Sequence, residues 1–532
     1  MGHLWVKQFM DKKDTSARGG LLRSSIVVSG MTMISRVFGL ARDMVIAYLF
    51  GASAGADAFF LAFKIPNFFR RLFAEGAFAQ AFVPVLSEYK EKRSSSDVRA
   101  LIAKTSGSLG IILLIFTLLG VAGAGVVVGV FAPGFVYQED NTRLTLAVDM
   151  LRLTFPYLML ISLTAVAGSV LNTYQRFAVP SITPVLLNIS LIGSALLIGP
   201  HLGEPVMALA WGVLIAGVAQ LTFQLPFLAR EHLLVAPRID FKDEGVRRIG
   251  ILMLPAIFGA SVGQINLLLD TVLASFLETG SLSWLYYSDR LLELPLALFG
   301  IAIATVILPG LSKEHASEDP DAFSDTLNWA IRLVLVFGLP ATAALVFLAD
   351  ELIASLFYQG ALTPRDVQMA GYSLAAYGAG LLGHMLVKVL APGYFARQDT
   401  RTPVRYGVIA LVSNMVLNLI LVWHFAHVGL ALATSIAAFI NAGLLMQGLI
   451  RSGTLRISAG LLKLCLRILV ALVVMIGVIA LMLEFLLGGI DVWFAMSFPI
   501  RLIYIVLICL AGALSYAATL FLAGVRPHQL ER

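Results

Sequence analysis

Charged residues are scarce in this chain of 532 residues. Asp, Glu, Lys and Arg together make up 13% of it and 59% is hydrophobic, whereas about a quarter of an ordinary soluble domain is charged. This composition excludes a water-soluble globular protein. A membrane span with its connection takes about 35 to 40 residues, of which about 20 cross the hydrocarbon. The length therefore accommodates about 13 to 15 helices and no sizeable soluble domain.

Cysteine and familiar catalytic motifs are also rare or missing. Cys465 and Cys509 lie far apart in apolar runs, which indicates neither a disulfide framework nor a metal cluster. No Gly-rich loop ends in Gly-Lys-Ser/Thr, which argues against an ATP-driven pump. No nucleophile has a base at motif spacing, and no dense carboxylate cluster lies at a membrane edge. A membrane enzyme acting on a polyprenyl phosphate is therefore only a second class of hypothesis.

Long apolar windows that end at Gly, Pro or charge clusters predict an all-α membrane protein with about fourteen spans. Lys and Arg collect in alternate loops, and the positive-inside bias then places both termini in the cytoplasm. The predicted spans are 25–50, 58–88, 106–132, 144–172, 181–200, 206–229, 247–277, 282–311, 326–357, 366–391, 403–424, 428–450, 460–487 and 498–524.

Four short matches in the same order indicate an internal duplication. Asp43–Phe50 resembles Asp270–Leu277, Pro84–Ser87 resembles Pro309–Ser312, Thr183–Val185 resembles Thr402–Val404, and Ala208–Ala210 resembles Ala431–Ala433. Each copy holds six predicted spans, an even number, so the copies share an orientation, as in transporters built from parallel repeats. We expect two pseudo-symmetric six-helix lobes with the substrate between them. A duplication without alternating access is the alternative.

The duplication defines a predicted domain organisation. Two helices follow the second lobe, and short charged segments flank or join the lobes. The predicted parts are a cytoplasmic tail at 1–24, an N-lobe at 25–230 (spans 1 to 6), a cytoplasmic linker at 231–246, a C-lobe at 247–451 (spans 7 to 12), spans 13 and 14 at 452–525, and a cytoplasmic tail at 526–532.

Charged residues interrupt the first two predicted spans. A central Arg or Asp costs about 2.5 to 3.5 kcal/mol on an insertion scale, so Arg36, Arg42 and Asp43 in the first span must face protein or water. The second span is expected to break at Pro66. It also carries Lys64, Arg70, Arg71 and Glu75, of which Arg71 and Glu75 can pair at i,i+4.

The charges on the lobe-facing helices are mostly positive. The eighth span adds Asp289, Arg290 and Glu293. Guanidinium groups hold phosphate oxygens in bidentate fashion, so we predict a phosphate or diphosphate as the substrate group. Internal ion pairs that lock the two lobes together are the alternative. The set consists of Arg36, Arg42, Arg70 and Arg290 against Asp43 and Glu293.

A second polar cluster is predicted from oxygen-bearing residues in the second lobe, the ligand type that hard cations prefer. It would hold sodium or a proton; interhelical hydrogen bonds that only pack the helices are the alternative. Its members are Asp270, Asn414, Asn418 and Thr434.

Four further residues of the second lobe are basic or titratable. Lys388 follows His384 by one helical turn, and its role is either in the cytoplasmic half of the passage or in local packing. His424 and His427 are interpreted as surface histidines.

Several motifs resemble the MurJ (MviN) lipid II flippase family, from the first span to the fourteenth. The most specific is Pro66-Asn-Phe-Phe-Arg-Arg-Leu-Phe-Ala-Glu-Gly-Ala-Phe78. The others are Ser35-Arg-Val-Phe-Gly-Leu-Ala-Arg-Asp43, Ala56-Asp-Ala-Phe-Phe60, Phe82-Val-Pro84 and Lys388-Val-Leu-Ala-Pro-Gly393. Members belong to a superfamily of two-lobed flippases and antiporters.

The resemblance implies that the chain moves an undecaprenyl-diphosphate-linked peptidoglycan precursor from the inner to the outer leaflet of the bacterial cytoplasmic membrane. It assigns the four arginines to the cavity and Asp57 to an outer gate or ion pair. Asp43 and Glu293 would reset the arginines after release, the last two spans would hold the polyprenyl tail, and the oxygen cluster falls at a cation site of some relatives.

The same resemblance defines partners and energy source. The partners would be lipid II, membrane lipids and other cell-wall synthesis proteins, with no nucleic acid. No cofactor is expected beyond Na⁺ or H⁺ coupling and the membrane potential. Another anionic-lipid transporter or a drug/cation antiporter of the superfamily is the alternative function.

Overall fold

The computed structural model describes residues 30–72, 78–138, 141–458, 460–486 and 488–526, without the side chains of 258–263 and 486. The predicted N-terminal tail, Glu75 and nearly all of the C-terminal tail lie outside the described residues. The described part of the chain is helical and contains no β-strand. The prediction of an all-α protein is therefore confirmed.

The helices follow the predicted spans closely, although several spans consist of two helices. A first helix α1 covers 30–50. The others are α2 Ala54–Arg70, α3 Ala79–Lys92, α4 Ser95–Ala122, α5 Ala124–Phe131, α6 Pro133–Val136, α7 Thr142–Thr154, α8 Tyr157–Thr173, α9 Ala178–Leu197, α10 Met207–Arg230, α11 Glu244–Ser275, α12 Ser281–Pro295, α13 Ala302–Ala316, α14 Pro320–Phe347, α15 Ala349–Phe357, α16 Pro364–Ala379, α17 Leu381–Phe395, α18 Arg401–Arg451, α19 Gly460–Leu481, α20 Ile490–Ala495 and α21 Phe498–Leu522.

Ten helical segments of the described chain are long and apolar enough to cross a membrane. One of them, α18, has 51 residues and a non-helical Ala426 (φ 49°, ψ −131°). At about 1.5 Å per residue such a helix exceeds twice the hydrocarbon thickness of about 30 Å. The break at Ala426 falls between the predicted spans 403–424 and 428–450. The count of fourteen spans stays a prediction.

Helix α2 continues through Pro66 to Arg70, so the predicted break at Pro66 is wrong. Proline removes one backbone donor and leaves the carbonyl four residues earlier without its helical partner. Here that carbonyl belongs to Ala62, and the hydroxyl of Thr154 on α7 donates to it at 2.9 Å. The Thr154 hydroxyl therefore replaces the backbone amide donor that Pro66 does not have.

The chain forms two compact units. The first takes the described residues up to Ile46 and Ala58–Ile265, and the second takes Ala47–Asp57 and the described residues from Asn266 onward. In the first unit, apolar side chains of α3 such as Phe82 and Val85 pack against Val170 of α8. In the second unit, Gly338 of α14 and Gly383 of α17 allow close approach of neighbouring helices.

The segment 231–243 after α10 lies across α4 within the first unit. The Arg238 amide donates to the Ala103 carbonyl at 2.8 Å, and the Asp240 amide donates to Ser108 Oγ at 3.1 Å. A Cβ at Gly107 would collide with the Arg238 backbone. Gly107 is therefore required for the close approach of this segment.

Candidate substrate and cation sites

In the first unit, Arg42 and Asp43 form a buried ion pair on α1. Arg42 is 6% and Asp43 1% exposed, and Arg42 Nε and Nη2 donate to Asp43 Oδ1 at 2.9 and 2.7 Å. Arg42 Nη1 also donates to Asn188 Oδ1 on α9 at 3.0 Å. Burial of an ion pair costs desolvation that only good geometry offsets. In this conformation the Arg42 guanidinium is therefore committed to protein oxygens.

The two other predicted arginines of this unit are more open. Arg36 is exposed, and Arg70 is half-buried at the end of α2. Arg70 Nε donates to Asn67 Oδ1 at 3.1 Å, and Asn67 Nδ2 donates to the Phe63 carbonyl at 2.8 Å. Asn67 thus orients the Arg70 guanidinium.

In the second unit, Arg290 lies between a carboxylate and an aromatic ring on α12. Its Nη1 donates to Glu293 Oε2 at 3.1 Å, and its guanidinium lies 4.8 Å from the centre of the Tyr286 ring. The Arg290 and Glu293 side chains are 34% and 46% exposed, so water screens this ion pair. The Arg290–Glu293 pair is therefore more accessible than the buried Arg42–Asp43 pair.

Asp57 caps the first turn of α12. Its Oδ2 accepts from the Gly280 amide at 2.7 Å, and its Oδ1 accepts from the Ser283 amide at 3.0 Å and the Ser283 hydroxyl at 2.6 Å. Asp57 is fully buried. A carboxylate at a helix N-terminus satisfies amides that lack partners within the helix and compensates the helix dipole.

The turn between α1 and α2, residues 51–53, is held by two further contacts within the second unit. The Tyr287 hydroxyl donates to the Gly51 carbonyl at 2.8 Å, and the Ala361 amide donates to the Tyr48 carbonyl at 2.8 Å. Together with Asp57, these bonds fasten the turn to α12 and to the segment after α15.

The predicted oxygen cluster of the second lobe is assembled. Asn418 Nδ2 donates to Asp270 Oδ1 at 2.6 Å and to Asn414 Oδ1 at 2.7 Å, and Asn414 Nδ2 donates to Thr434 Oγ1 at 3.3 Å. Both asparagines are buried. Asn418 Oδ1 is buried without a hydrogen-bond partner among the described residues. One carboxylate and several neutral oxygens suit a monovalent hard cation, and the donor set fits the predicted cation.

The remaining predicted residues differ in burial. Lys388 is exposed, one turn beyond the half-buried His384. His424 is exposed as predicted, whereas His427 is 3% exposed and the surface interpretation is wrong for it. Its ring lies 4.8 Å from that of Trp284, and its Nε2 is 3.1 Å from the Met369 carbonyl. The kink at Ala426 turns this side chain inward.

Sequence reasoning missed Asn188 and Asn67, the two amides that position arginines. A lone amide inside an apolar segment was the available signal for Asn188, since a polar group in hydrocarbon needs a partner. The partner is 146 residues away. Among described residues, no group of three or more His, Cys, Asp or Glu side chains is arranged to hold a metal ion.

These features define a multi-pass helical membrane protein that carries arginines within its apolar helices. The family model described as lipid II flippase MurJ matches residues 46–504. The chain belongs to this family, whose members are named as flippases and therefore as transporters.

Proteins of similar sequence match this chain over most of its length. A probable lipid II flippase MurJ of Vibrio cholerae is 50% identical over 96% of this chain and 98% of its own length. The lipid II flippase MurJ of Burkholderia cenocepacia is 42% identical over 86% of this chain and 89% of its own length.

Solved structures agree in fold. A lipid II flippase MurJ in an inward closed conformation matches with a TM-score of 0.76 at 29% identity, over 93% of this chain and 98% of that one. An inward-facing multidrug transporter of the MATE family matches with a TM-score of 0.63 at 15% identity, over 81% and 98%. The second likeness concerns the fold alone.

Proposed function

We propose that this protein moves lipid II from the inner to the outer leaflet of the bacterial inner membrane by alternating access. Membership of the flippase family across nearly the whole chain is the observation that carries this proposal. Both termini lie in the cytoplasm, as the distribution of Lys and Arg indicates. Other cell-wall synthesis proteins are the proposed partners beyond the lipid itself.

The diphosphate of the lipid is bound by arginines. Arg36 and Arg70 are open enough to meet a headgroup, and the glutamate that pairs with Arg290 is itself partly exposed. Guanidinium groups bind phosphate oxygens in bidentate pairs. Arg42 joins them only when its guanidinium leaves Asp43 and Asn188, so Asp43 competes with the substrate for Arg42. Glu293 competes in the same way for Arg290 and favours release.

Asp57 acts as a gate residue because its carboxylate fixes the turn between α1 and α2. Lys388, exposed on α17, attracts the anionic headgroup. Helices α19 and α21 pack against each other and hold the polyprenyl tail. Their surfaces carry exposed apolar side chains such as Leu462, Val473 and Leu514, which suit contact with an isoprenoid chain.

Two energy sources are proposed for outward movement. A membrane potential that is negative inside drives an anion outward with about 2.3 kcal/mol per charge per 100 mV, which corresponds to more than a tenfold bias. A cation at Asp270, Asn414, Asn418 and Thr434 is the second source. The buried oxygen of Asn418 that lacks a hydrogen-bond partner among the described residues favours it.

A leaflet-resolved assay of lipid II in cells depleted of the native protein tests the function. Cells that express this chain should expose lipid II on the outer face, whereas Arg36→Ala and Arg70→Ala should lower that exposure at least tenfold at equal membrane abundance. Arg152→Ala is the matched control, because Arg152 forms a surface pair with Asp149. Cells that express this chain and still fail to expose lipid II would favour a drug/cation antiporter, and unchanged exposure in both arginine variants would contradict the role of these arginines.

A further inference from the structure

The acidic side chains of the segment 231–243 are all paired within the first unit. Glu231 Oε1 lies 2.7 Å from an arginine of the connection between α8 and α9. Asp240 and Asp243 share one lysine of α4, because Lys104 Nζ lies 3.0 Å from Asp240 Oδ2 and 2.6 Å from Asp243 Oδ2. The negative charge of the segment is therefore already compensated by the protein itself.

The basic side chains of this stretch are exposed and have no carboxylate partner. Arg238 and Lys242 lie within the segment, and Arg230 and Arg247 flank it; all four are exposed. In the part of the chain that the structure describes, no carboxylate lies within ion-pair distance of any of them. Four positive charges are therefore available to a negatively charged partner outside the first unit.

Apolar side chains lie between these bases and are open to the outside of the unit. Ile239 and Phe241 are 62% and 52% exposed, whereas Asp240 between them faces Lys104 of α4. Leu234 is exposed as well. The segment thus has a polar side toward α4 and an exposed apolar face that is bordered by basic residues.

The contacts with α4 determine the depth of this apolar face in the membrane. Lys104 is the last charged residue of α4, and no charge follows it up to Ala122. This uncharged run is about 27 Å long at about 1.5 Å per residue, close to the hydrocarbon thickness of about 30 Å. Ser108, which accepts from the Asp240 amide, lies about one turn inside the run. Ile239 and Phe241 therefore lie at the boundary between hydrocarbon and headgroups.

We propose that the segment 231–243 is a binding surface for anionic phospholipids. Its apolar side chains enter the acyl boundary of the bilayer, and its bases bind headgroup phosphates, the combination that holds interfacial segments on anionic membranes. A soluble protein could not reach these apolar side chains without displacing lipid. The topology of the proposed function places the surface in the cytoplasmic leaflet, but the surface itself does not depend on that topology. The lipid contacts are Ile239 and Phe241 for the acyl boundary and Arg230, Arg238, Lys242 and Arg247 for the phosphates.

Spin-label accessibility measures the depth of this face. The label is attached to Phe241→Cys in the full-length chain, with Cys465 and Cys509 changed to serine, in nanodiscs of phosphatidylcholine and phosphatidylglycerol. Leu118→Cys, in the uncharged run of α4 and 60% exposed, is the reference for hydrocarbon, and Glu91→Cys, exposed in the last turn of α3, is the reference for water. The ratio of O₂ to nickel-chelate accessibility at position 241 should exceed the Glu91 value at least threefold. A ratio equal to that of Glu91 would overturn the proposal and leave the face to a soluble partner.

Lipid selectivity tests the role of the bases. With a bimane label on Phe241→Cys, spin-labelled phosphatidylglycerol should quench at least threefold more strongly than spin-labelled phosphatidylcholine at the same mole fraction. The double change Arg238→Gln and Lys242→Gln should remove this preference, as should 1 M salt, which shortens the Debye length to about 3 Å. Arg152→Gln is the matched control and should keep the preference, because Arg152 pairs with Asp149. Inorganic phosphate should not abolish it, since a soluble anion lacks acyl chains.

Gel filtration and thermal unfolding check that each variant is folded, and Ile239→Cys carries the label if Phe241→Cys does not fold. Equal quenching by the two lipids in the parent, or an undiminished preference in the folded double variant, would overturn the proposal. Loss of the preference in inorganic phosphate would assign the bases to a soluble phosphate and would also overturn it. Lipid II exposure is measured separately in cells, so the flippase function and this lipid surface can fail independently.

Discussion

Asp57 and Ser283 are joined twice, because the Asp57 carboxylate accepts from both the amide and the hydroxyl of Ser283, at 3.0 and 2.6 Å. The two residues are 226 positions apart in the sequence. These bonds tie the first turn of α2 to the first turn of α12.

Loss of the Asp57 carboxylate should release the turn between α1 and α2. Hydrogen bonds to a charged group contribute about 1.5 to 3 kcal/mol each. Asp57→Asn should therefore raise the fraction of molecules in which the turn is open to solvent at least tenfold. A cysteine at Ala52, in a chain without Cys465 and Cys509, reports this as the rate of labelling by a membrane-impermeant maleimide. Ser283→Ala removes the hydroxyl bond and keeps the amide bond, so it should have a smaller effect. Equal labelling in Asp57→Asn and the parent would contradict the gate role.

Arg290 and Glu293 should respond in opposite ways to substitution. Arg290→Ala removes a phosphate ligand and should lower lipid II exposure at least tenfold, the effect of about 1.5 kcal/mol or more from a charge-assisted bond. Glu293→Gln removes the carboxylate that competes for Arg290, so it should strengthen lipid II binding and slow release, and growth support should fall less than in Arg290→Ala. Complementation at matched membrane abundance measures both. A severe defect in Glu293→Gln with a mild one in Arg290→Ala would refute this assignment.

Gly107 and Gly110 on α4 provide a matched pair. Gly107→Ala should lower the unfolding midpoint in detergent, because the new Cβ collides with the backbone of Arg238. Gly110→Ala should leave the midpoint unchanged or raise it, since the nearest atom is Leu163 Cδ2 at 4.0 Å and alanine gains about 1 kcal/mol of helix propensity over glycine. Equal changes of the unfolding midpoint in the two variants would contradict the close contact between Gly107 and the segment 231–243.

The segment 231–243 should detach from α4 only in acid. Lys104 Nζ lies 3.0 Å from Asp240 Oδ2 and 2.6 Å from Asp243 Oδ2, and its bond holds the pKa of the Asp240 carboxyl below the ordinary 3.8. Because the pKa of Asp240 is lower in the folded protein than 3.8, its ionised carboxylate stabilises the attached segment fully above pH 3.8. This stabilisation is lost as the pH falls through the lower pKa of the folded state. Hydrogen exchange of the Asp240 amide, corrected for intrinsic rates, should show constant protection at neutral pH and loss only below pH 3.8. In Lys104→Gln protection should be weaker at neutral pH; loss of protection between pH 5 and 7 in the parent would contradict this account.

Local chemistry made much of the fold predictable. Apolar windows located the helices, and the i,i+4 spacing of Asn414 and Asn418 placed both amides on one face of α18, where Asp270 meets them. The continuation of α2 through Pro66 was not predictable, because it depends on Thr154 from α7. The Asp57 cap and the Asn188 contact were also hidden, since each joins residues more than 140 positions apart and a single sequence carries no signal for such pairs.

The continuity of α2 through Pro66 fixes the distance between its two ends. Asp57 lies in its first turn and Arg70 in its last, about 20 Å apart at 1.5 Å per residue. A helix that bent at Pro66 would let its two halves change their relative angle. In α2 the Thr154 hydroxyl satisfies the Ala62 carbonyl, and the two halves stay in one continuous helix. The residues of α2 on either side of Pro66, from Ala58 to Arg70 in the first unit, therefore keep one helical geometry.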